Sequence, residues 1–237
     1  MSAGAPLLAF DTSGAHGSVA VGGAGPRRSG EVLAVAALPE RKEHAARLLP
    51  TIDAVLREAG VSVGALGGIV VGEGPGSFTG VRVAAATAKG LSFSAGIPLR
   101  PISSLAAVAL TLGWSGPDVR YVLFDARGDR VYGACYRVDE EALEELVAPH
   151  PGQLGDVLGA SVPEGAVFLG TGAAKHRVAL GEAGFEVAPD DEQDERVTPA
   201  VGLLRCAGLG GASPVDDPTA WEPRYVRASS AERLWSA

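Results

Sequence analysis

The chain has few cysteines and histidines, the residues that form disulfide bonds and bind zinc. Its 237 residues include only two cysteines, Cys135 and Cys206. Neither has a second cysteine or a histidine at a metal-ligand spacing, so neither a disulfide framework nor a zinc site is indicated. We expect both thiols to be reduced and buried. No two histidines lie within one helical turn of each other, and the four are His16, His44, His150 and His176.

Long hydrophobic runs are also missing. Residues 7–10 form a short apolar stretch, and the residues before it carry no positively charged side chain. This pattern predicts neither a signal peptide nor a membrane span. We therefore expect a cytoplasmic protein without a membrane partner. The content of 46% hydrophobic residues predicts a substantial core in a chain of this length.

Positive charge is in short supply. The chain has 20 Lys and Arg residues against 28 Asp and Glu residues, a formal net charge of −8. This balance argues against tight autonomous binding to a polyanion, so we expect a partner to hold any RNA that is involved. The acidic runs at residues 139–145 and 190–195 are interpreted as solvated surface.

Glycine, in contrast, is abundant, and one glycine-rich segment is more informative than the rest of the chain. Residues 72–80, called the glycine loop below, follow an apolar run at 69–71 and precede an alanine-rich segment at 81–91. This order predicts a buried strand, a tight turn and a helix. The candidate positions in the loop are Gly72, Gly74, Pro75, Gly76, Ser77, Phe78, Thr79 and Gly80.

The glycine loop does not match the known patterns for phosphate or acyl chemistry. A Walker loop needs a lysine where Phe78 and Thr79 stand, and the dinucleotide fingerprint lacks its third glycine. Ser77 is flanked by Pro75 and Thr79 instead of the glycines of a nucleophile elbow. We interpret the loop as a tight turn that launches a helix over residues 81–94, with Ser77 or Thr79 as its cap.

The hydrophobic pattern predicts two related mixed α/β units, although no residue-level repeat is visible. In the first unit we expect an antiparallel meander at 7–10, 18–21 and 32–38, a helix at 45–59 that Pro50 kinks or frays, a strand at 69–72 and a helix at 79–94. In the second we expect a helix at 102–112, a hairpin of 119–124 and 130–137, a strand at 167–169, and helices at 173–183 and 197–209. The predicted units are residues 1–100 and 101–212, followed by a tail at 213–237.

Two aspartates at strand ends are candidates for metal chemistry. Asp11 follows the first strand and is followed by Thr12 and Ser13, and Asp125 ends a strand of the second unit. Paired aspartates of this kind could hold Mg²⁺ near a phosphate. The more common alternative is that each caps a turn through a side-chain oxygen.

Seven segments, in order along almost the whole chain, together resemble the TsaB (YeaZ) family. Residues 74–82, Gly-Pro-Gly-Ser-Phe-Thr-Gly-Val-Arg, are the most specific of them. The others are residues 8–13, 44–50, 89–91, 102–105, 125–132 and 223–227. The resemblance implies an α/β, two-lobed actin/Hsp70-ATPase-like (ASKHA) fold, with a mixed sheet flanked by helices in each lobe.

The same resemblance implies a role in making threonylcarbamoyladenosine next to the anticodon of tRNA. In that family the subunit is not the catalyst and has no cofactor of its own. It works with TsaD, which carries the metal and transfers the threonylcarbamoyl group, and with the ATPase TsaE, so ATP and Mg²⁺ are used by the partner complex. Contact with tRNA is expected to be indirect.

Helix surfaces on both sides of the glycine loop are the expected partner interface. The helix after the loop is rich in alanine, and small side chains let another helix approach closely. The resemblance implies that these surfaces form either a homodimer or, in competition, the heterodimer with TsaD. The candidate interface residues are His44, Arg47, Leu48, Thr51, Ile52, Val81, Arg82, Ala85, Ala86 and Lys89.

Two other functions remain open from the sequence. One is a metal-dependent small-molecule kinase of the same superfold that uses Asp11 and Asp125 around Mg-ATP. The other is a generic dimeric interaction domain. A kinase should have a glycine-rich turn beside each aspartate, and only residues 125–128 approach that pattern.

Overall fold

Two mixed β-sheets, each of five strands, form the frame of the molecule. The computed structural model describes residues 4–23, 32–111, 117–189, 198–210 and 213–224. Helices cover the outer face of each sheet and fill the space between the two. None of the helices in these ranges combines the length and the apolarity needed to cross a bilayer.

The first sheet contains β1 (Leu7–Asp11), β2 (His16–Gly22), β3 (Val32–Glu40), β4 (Gly68–Gly72) and β5 (Leu99–Ile102). The strands β1, β2 and β3 form the predicted antiparallel meander. Strand β4 lies parallel to β1, and β5 lies parallel to β4. The order across the sheet is β3-β2-β1-β4-β5.

Two helices, α1 (His44–Glu58) and α2 (Phe78–Ala95), cover the outer face of the first sheet. Helix α1 has the predicted apolar periodicity, and its side chains Leu48, Ile52 and Val55 are buried against the strands. Helix α2 ends where its cap Gly96 adopts a left-handed φ of 65°, which glycine adopts without strain.

The second sheet contains β6 (Val119–Asp125), β7 (Arg130–Val138), β8 (Leu143–Gln153), β9 (Val167–Leu169) and β10 (Glu186–Val187). Strands β6, β7 and β8 are antiparallel neighbours, whereas β9 is parallel to β6 and β10 is parallel to β9. The order is β10-β9-β6-β7-β8. The two sheets therefore have the same topology, which confirms the prediction of two related units.

The remaining helices are α3 (Ser104–Ala109), α4 (Leu154–Gly159), α5 (Thr171–Lys175), α6 (Arg177–Glu182) and α7 (Pro199–Gly208). Helices α3 and α7 pack against each other between the sheets, with α7 on the first sheet and α3 on the second. Helices α4, α5 and α6 cover the outer face of the second sheet. The chain is thus layered as helix, sheet, helix, sheet, helix.

Two arginines satisfy the carbonyl groups at the end of α3. Arg120 donates to the carbonyl oxygens of Ala109 at 2.5 Å and Pro117 at 2.7 Å. Arg205 donates to those of Leu110 at 2.6 Å and Thr111 at 2.7 Å. Burial lowers the pKa of Arg120 to about 10. These bonds connect β6 and α7 to α3 and so hold the central layer together.

Both cysteines lie in the core, as predicted. Cys135 belongs to the cluster under the outer helices of the second sheet, and Cys206 belongs to the cluster between the sheets. Burial raises the pKa of Cys135 to about 11 and that of Cys206 to about 12. Both therefore remain protonated thiols near neutral pH.

Several predicted boundaries were wrong. The helix predicted at 102–112 begins later, at Ser104, because Ile102 pairs with Gly72 as part of β5; Leu112 lies outside the described residues. The single helix predicted at 173–183 is two short helices that meet at His176. Strands β5, β8 and β10 and helix α4 were not predicted at all. In α1, helical backbone continues on both sides of Pro50, so the first half is not frayed.

The predicted boundary at residue 100 falls inside β5, so the first sheet ends at Ile102. Helix α7, which the prediction placed in the second unit, packs against strands of the first sheet. The acidic run at 139–145 extends into β8, where Glu144 forms a 2.5 Å ion pair with Arg137 of β7. The second acidic run, at 190–195, lies outside the described residues.

Candidate functional site

The glycine loop connects β4 to α2 and is pinned on two sides by backbone hydrogen bonds. On one side, the Ser77 N–H donates to the carbonyl oxygen of Ser13 at 2.7 Å. On the other, the Gly74 N–H donates to Ser104 Oγ at 3.1 Å, and the Ser104 N–H donates to the Gly74 carbonyl at 2.8 Å. The loop therefore joins the turn after β1 to the start of α3.

Three of the loop glycines are needed because the protein's own chain passes directly against them. A Cβ atom on Gly76 would lie 2.5 Å from the carbonyl oxygen of Ser13. A Cβ on Gly80 would overlap the Thr12 carbonyl, and one on Gly72 would overlap the Asp11 carboxylate. The space that a phosphate would need beside these glycines is filled by residues 11–13.

The remaining loop positions shape the turn and begin the helix. Gly74 has a φ of 90°, and the Gly74–Pro75 peptide bond is cis. Ser77 is the N-cap of α2, and its hydroxyl accepts a 3.3 Å hydrogen bond from the Gly80 N–H. Of the two caps considered from the sequence, Ser77 is therefore the one used. Phe78 and Thr79, the first residues of α2, are exposed.

Both candidate metal-binding aspartates act as turn caps. The Ser13 N–H donates to Asp11 Oδ1 at 2.6 Å, and the Arg127 N–H donates to Asp125 Oδ1 at 2.9 Å. Asp11 is buried, and its Oδ2 has no hydrogen-bond partner. Lys175 Nζ lies 2.7 Å from Asp125 Oδ1. Across the described ranges, no group of three or more potential metal-ligating side chains is found.

The environment of Asp125 keeps its carboxylate charged. Burial raises its pKa, but the hydrogen bonds from Lys175 and the Arg127 N–H and the charge of Lys175 outweigh this effect, so the pKa is lowered overall. Lys175 also donates to the Gly128 carbonyl at 2.6 Å. The Lys175 ammonium group thus occupies the position that a cation would take beside this carboxylate.

Half of the ten predicted interface residues lie inside the lobe. His44, Leu48, Ile52, Val81 and Ala85 are all buried, so their side chains are not on the surface. The prediction assigned them to a surface because a helical period does not distinguish the buried side of a helix from a partner-facing side. The exposed or partly exposed residues are Arg47, Thr51, Arg82, Ala86 and Lys89.

The outward side of α2 presents a continuous stripe, called the α2 stripe below. Its residues recur every three or four positions and are Phe78, Arg82, Ala86, Gly90 and Phe93. The Arg82 guanidinium lies 3.8 Å from the centre of the Phe78 ring. Phe93 is 77% exposed, and Leu49 on the neighbouring α1 is 55% exposed. Phe93 was not among the predicted interface residues, although its helical spacing from Ala86 and Gly90 was a signal for it.

The beginning of the C-terminal tail lies back on the first lobe. Residues 213–224, called the strap below, start at the sheet edge, where the Val215 N–H donates to the Leu99 carbonyl at 2.9 Å. Trp221 packs against the outer core of this lobe, and Pro223 is buried. Lys89 of α2 donates to the strap, at 3.2 Å to the Thr219 carbonyl and 3.1 Å to Glu222 Oε1. The rest of the predicted tail, residues 225–237 with Tyr225 and Trp235, lies outside the described residues.

Glu73 in the glycine loop interacts electrostatically with Arg224 at the end of the strap. Burial raises its pKa, and the positive charge of Arg224 partly offsets the rise. A raised pKa means that the folded protein favours the protonated carboxyl. Stability from this group is therefore complete below the pKa of the unfolded chain and is lost as the pH rises through the higher folded pKa.

We expect opposite results from alanine at two glycines of α2. Gly80→Ala should lower the free energy of unfolding by about 1–3 kcal/mol or more, because its methyl group would overlap the Thr12 backbone. Gly90→Ala, with no heavy atom within 4 Å of the new methyl group, should be neutral or stabilise by up to about 1 kcal/mol. Urea unfolding of both variants measures this, and equal effects would contradict the proposed packing of the loop.

Replacing Glu73 with glutamine should make the free energy of unfolding less sensitive to a rise in pH above the ordinary glutamate pKa. The unfolding free energy of Glu73→Gln relative to the unaltered protein should be higher at about pH 8 than at about pH 4.5, because only the unaltered protein carries an ionisable carboxyl whose charged form is disfavoured by burial. Urea unfolding at both pH values measures the difference. Glu182→Gln, which removes a carboxylate from the exposed end of α6, is the control for the loss of a surface charge.

Comparison with known proteins was consistent with this geometry. A family model described as "TsaD: tRNA N6-adenosine threonylcarbamoyltransferase" matches residues 34–187, more than half of the chain. The tRNA threonylcarbamoyladenosine biosynthesis protein TsaB of Bacillus subtilis is 29% identical over 235 residues, covering 97% of each chain. YeaZ from Pseudomonas aeruginosa superposes with a TM-score of 0.72 and 29% identity, covering 93% of this chain and 99% of that one.

A more distant structure bears on the fold alone. Component A of (R)-2-hydroxyglutaryl-CoA dehydratase from Acidaminococcus fermentans is 10% identical and has a TM-score of 0.50, covering 85% of this chain and 98% of that one. The two matching sheets and this neighbour confirm the two-lobed actin/Hsp70-ATPase-like fold. The chain belongs to the family that the TsaD model describes and, within it, to the TsaB (YeaZ) branch.

Proposed function

We propose that this chain is a non-catalytic subunit in the biosynthesis of threonylcarbamoyladenosine in tRNA, and that it docks on TsaD through the α2 stripe. The pathway follows from the full-length match to a relative named for it. One structural observation supports the docking surface: the glycine loop is filled by the protein's own residues, while the helix it launches exposes a stripe of aromatic and small residues.

The α2 stripe has the features of a helix-packing surface. Phe78 and Phe93 provide exposed apolar area at its two ends. Between them, Ala86 and Gly90 leave room for another helix, and no heavy atom lies within 4 Å of the position that a Gly90 side chain would take. Short side chains allow two helix axes to approach closely, so the partner's side chains can pack over them.

The exposed part of α1 extends this surface. Leu49 is an exposed apolar side chain there, with Arg47 and the partly exposed Thr51 nearby on the same helix. Helices α1 and α2 are in contact along the same face of the sheet. In our proposal TsaD covers this surface in the active complex, and a second copy of the chain competes for it. We further propose that this assembled pair recruits TsaE, and that the present chain contacts tRNA only indirectly, through the complex.

In this proposal the chemistry belongs to the partners. ATP and Mg²⁺ are used by the complex, and the present chain contributes a docking surface. Asp125 is already paired with Lys175, and Asp11 caps a turn, which weighs against the kinase alternative. The net charge of −8 supports a partner-mediated contact with tRNA, because a polyanion is repelled by an acidic protein.

Placing a charge in the middle of the α2 stripe should block docking. Ala86→Glu should weaken the affinity for TsaD by at least about thirtyfold, because a partner helix would bury an unpaired carboxylate. The monomer should stay folded, since Ala86 is exposed. Ala85→Glu is unsuitable for this test, because Ala85 is buried in the lobe.

Isothermal titration of TsaD into each variant measures the effect. Val178→Glu, a new charge at a 74% exposed helix position of the second lobe, is the matched control and should bind as the unaltered chain does. Light scattering at several concentrations shows whether Ala86→Glu also abolishes self-association. Tight binding of Ala86→Glu to TsaD would refute the proposed docking surface.

The isolated chain should not modify tRNA. When it is incubated with tRNA and threonylcarbamoyl adenylate, no threonylcarbamoyladenosine should form; after TsaD and TsaE are added with Mg-ATP, the product should accumulate. Nucleoside analysis by mass spectrometry measures the product. Formation of the modified nucleoside without TsaD would show that this chain is itself a catalyst, and the scaffold proposal would then fail.

A further inference from the structure

The strap crosses the helix that carries the proposed docking surface. It leaves the sheet edge at Val215, passes Lys89 on α2 and reaches the glycine loop with Arg224. A Cβ atom on Gly74 would lie 3.8 Å from the carbonyl oxygen of Arg224, in ordinary van der Waals contact. One short segment thus touches the last strand of the sheet, the middle of α2 and the loop before α2.

Lys89 is the fixed point of this arrangement. Its side chain is only 23% exposed and lies on α2 between the stripe residues Ala86 and Gly90. Its ammonium group donates to the Thr219 carbonyl and to Glu222, and it lies 6.0 Å from the centre of the Trp221 ring. Lys89 was predicted to contact a partner, and in the structure its ammonium group makes these intramolecular contacts.

Electrostatics connects the end of the strap to the glycine loop. The charge of Arg224 acts on Glu73, the residue next to Gly74. Pro223 is buried and the Arg224 backbone lies against Gly74, so the Arg224 side chain, although exposed, starts beside the loop. Displacement of the strap would therefore remove the positive charge of Arg224 that favours the ionised form of the half-buried Glu73.

The ion pair alone is too weak to hold the strap. The Glu222 side chain is 73% exposed, and exposed pairs contribute little. The bond from Lys89 to the Thr219 carbonyl adds a second contact, and the partly buried Trp221 adds apolar contact with the outer core. The strap is therefore held by Lys89 and Trp221 together, at a site adjacent to the α2 stripe.

We propose that the strap is a positioning element: through Lys89 and Trp221 it holds α2 and the glycine loop in the conformation that is presented to the partner. Lys89 is then a positioning residue that acts through the strap. The part of this inference that concerns binding rests on the proposed function, whereas the part that concerns the loop can be tested on the isolated chain.

Hydrogen exchange of the full chain tests the internal part. Lys89→Met keeps the length of the side chain and removes its charge and donors, so exchange in residues 213–224 should become about tenfold faster. Exchange in residues 72–80 should also become faster, while β6 and β7 stay unchanged as an internal reference. Lys89→Arg, which can still donate to Thr219 and Glu222, should restore protection. Unchanged exchange in the loop after release of the strap would overturn the proposal.

Titration with TsaD tests the consequence for binding. Lys89→Met should lower the affinity about three- to tenfold, and Lys89→Arg should recover most of it. Trp221→Ala releases the strap without changing the charge on α2, so an equal loss in this variant shows that Lys89 acts through the strap. Faster exchange with unchanged affinity would reject the strap as a positioning element while leaving the α2 stripe in place. If Ala86→Glu also binds normally, the proposed function itself fails.

Discussion

The close approach of the turn after β1 to the glycine loop is the contact on which the first lobe depends. Gly76 and Gly80 allow residues 12 and 13 to pass directly against the loop backbone, and the Thr12 hydroxyl donates to the Gly80 carbonyl at 2.6 Å. Because Gly80 lies in the first turn of α2, this contact fixes where the helix starts and which side of it faces the sheet. The burial of Val81 and the exposure of Arg82 and Ala86 follow from that placement.

The two lobes share a topology but use the corresponding positions differently. In the first lobe, the aspartate at the end of the central strand is buried, and glycines press against it. In the second lobe, the corresponding Asp125 is partly exposed and paired with Lys175. The central helices α3 and α7, with the arginine bonds at the end of α3, connect the lobes through the core. The same topology therefore places a buried aspartate, Asp11, at this position in one lobe and an ion-paired aspartate, Asp125, in the other.

The elements that could be predicted from the sequence are those whose residues form a local pattern. The meander, α1, α2 and the β6–β7 hairpin were predicted because alternation, helical period and turn residues each occur within a short window. Strand β8 was missed because its polar, partly exposed residues have no alternating pattern, and β5 was missed because Pro101 interrupts it at the sheet edge. Five of the ten predicted interface residues are buried within the lobe, and the sequence could not identify them because which face of a helix is buried depends on contacts distant in sequence.

A glycine-rich turn between a strand and a helix has two physical explanations, and sequence alone does not choose between them. Such a turn lets backbone approach a ligand closely, or it lets backbone approach another part of the same chain closely. Here the deciding residues are Asp11, Thr12 and Ser13, far from the loop in sequence, which fill the space beside Gly72, Gly76 and Gly80. The glycines that first resemble a phosphate cradle are therefore required by packing, and the helix that they launch carries the exposed α2 stripe. The strap contacts both the loop and this helix, although it is far from both in sequence. The C-terminal segment therefore belongs to the same packed unit as the glycine loop and α2.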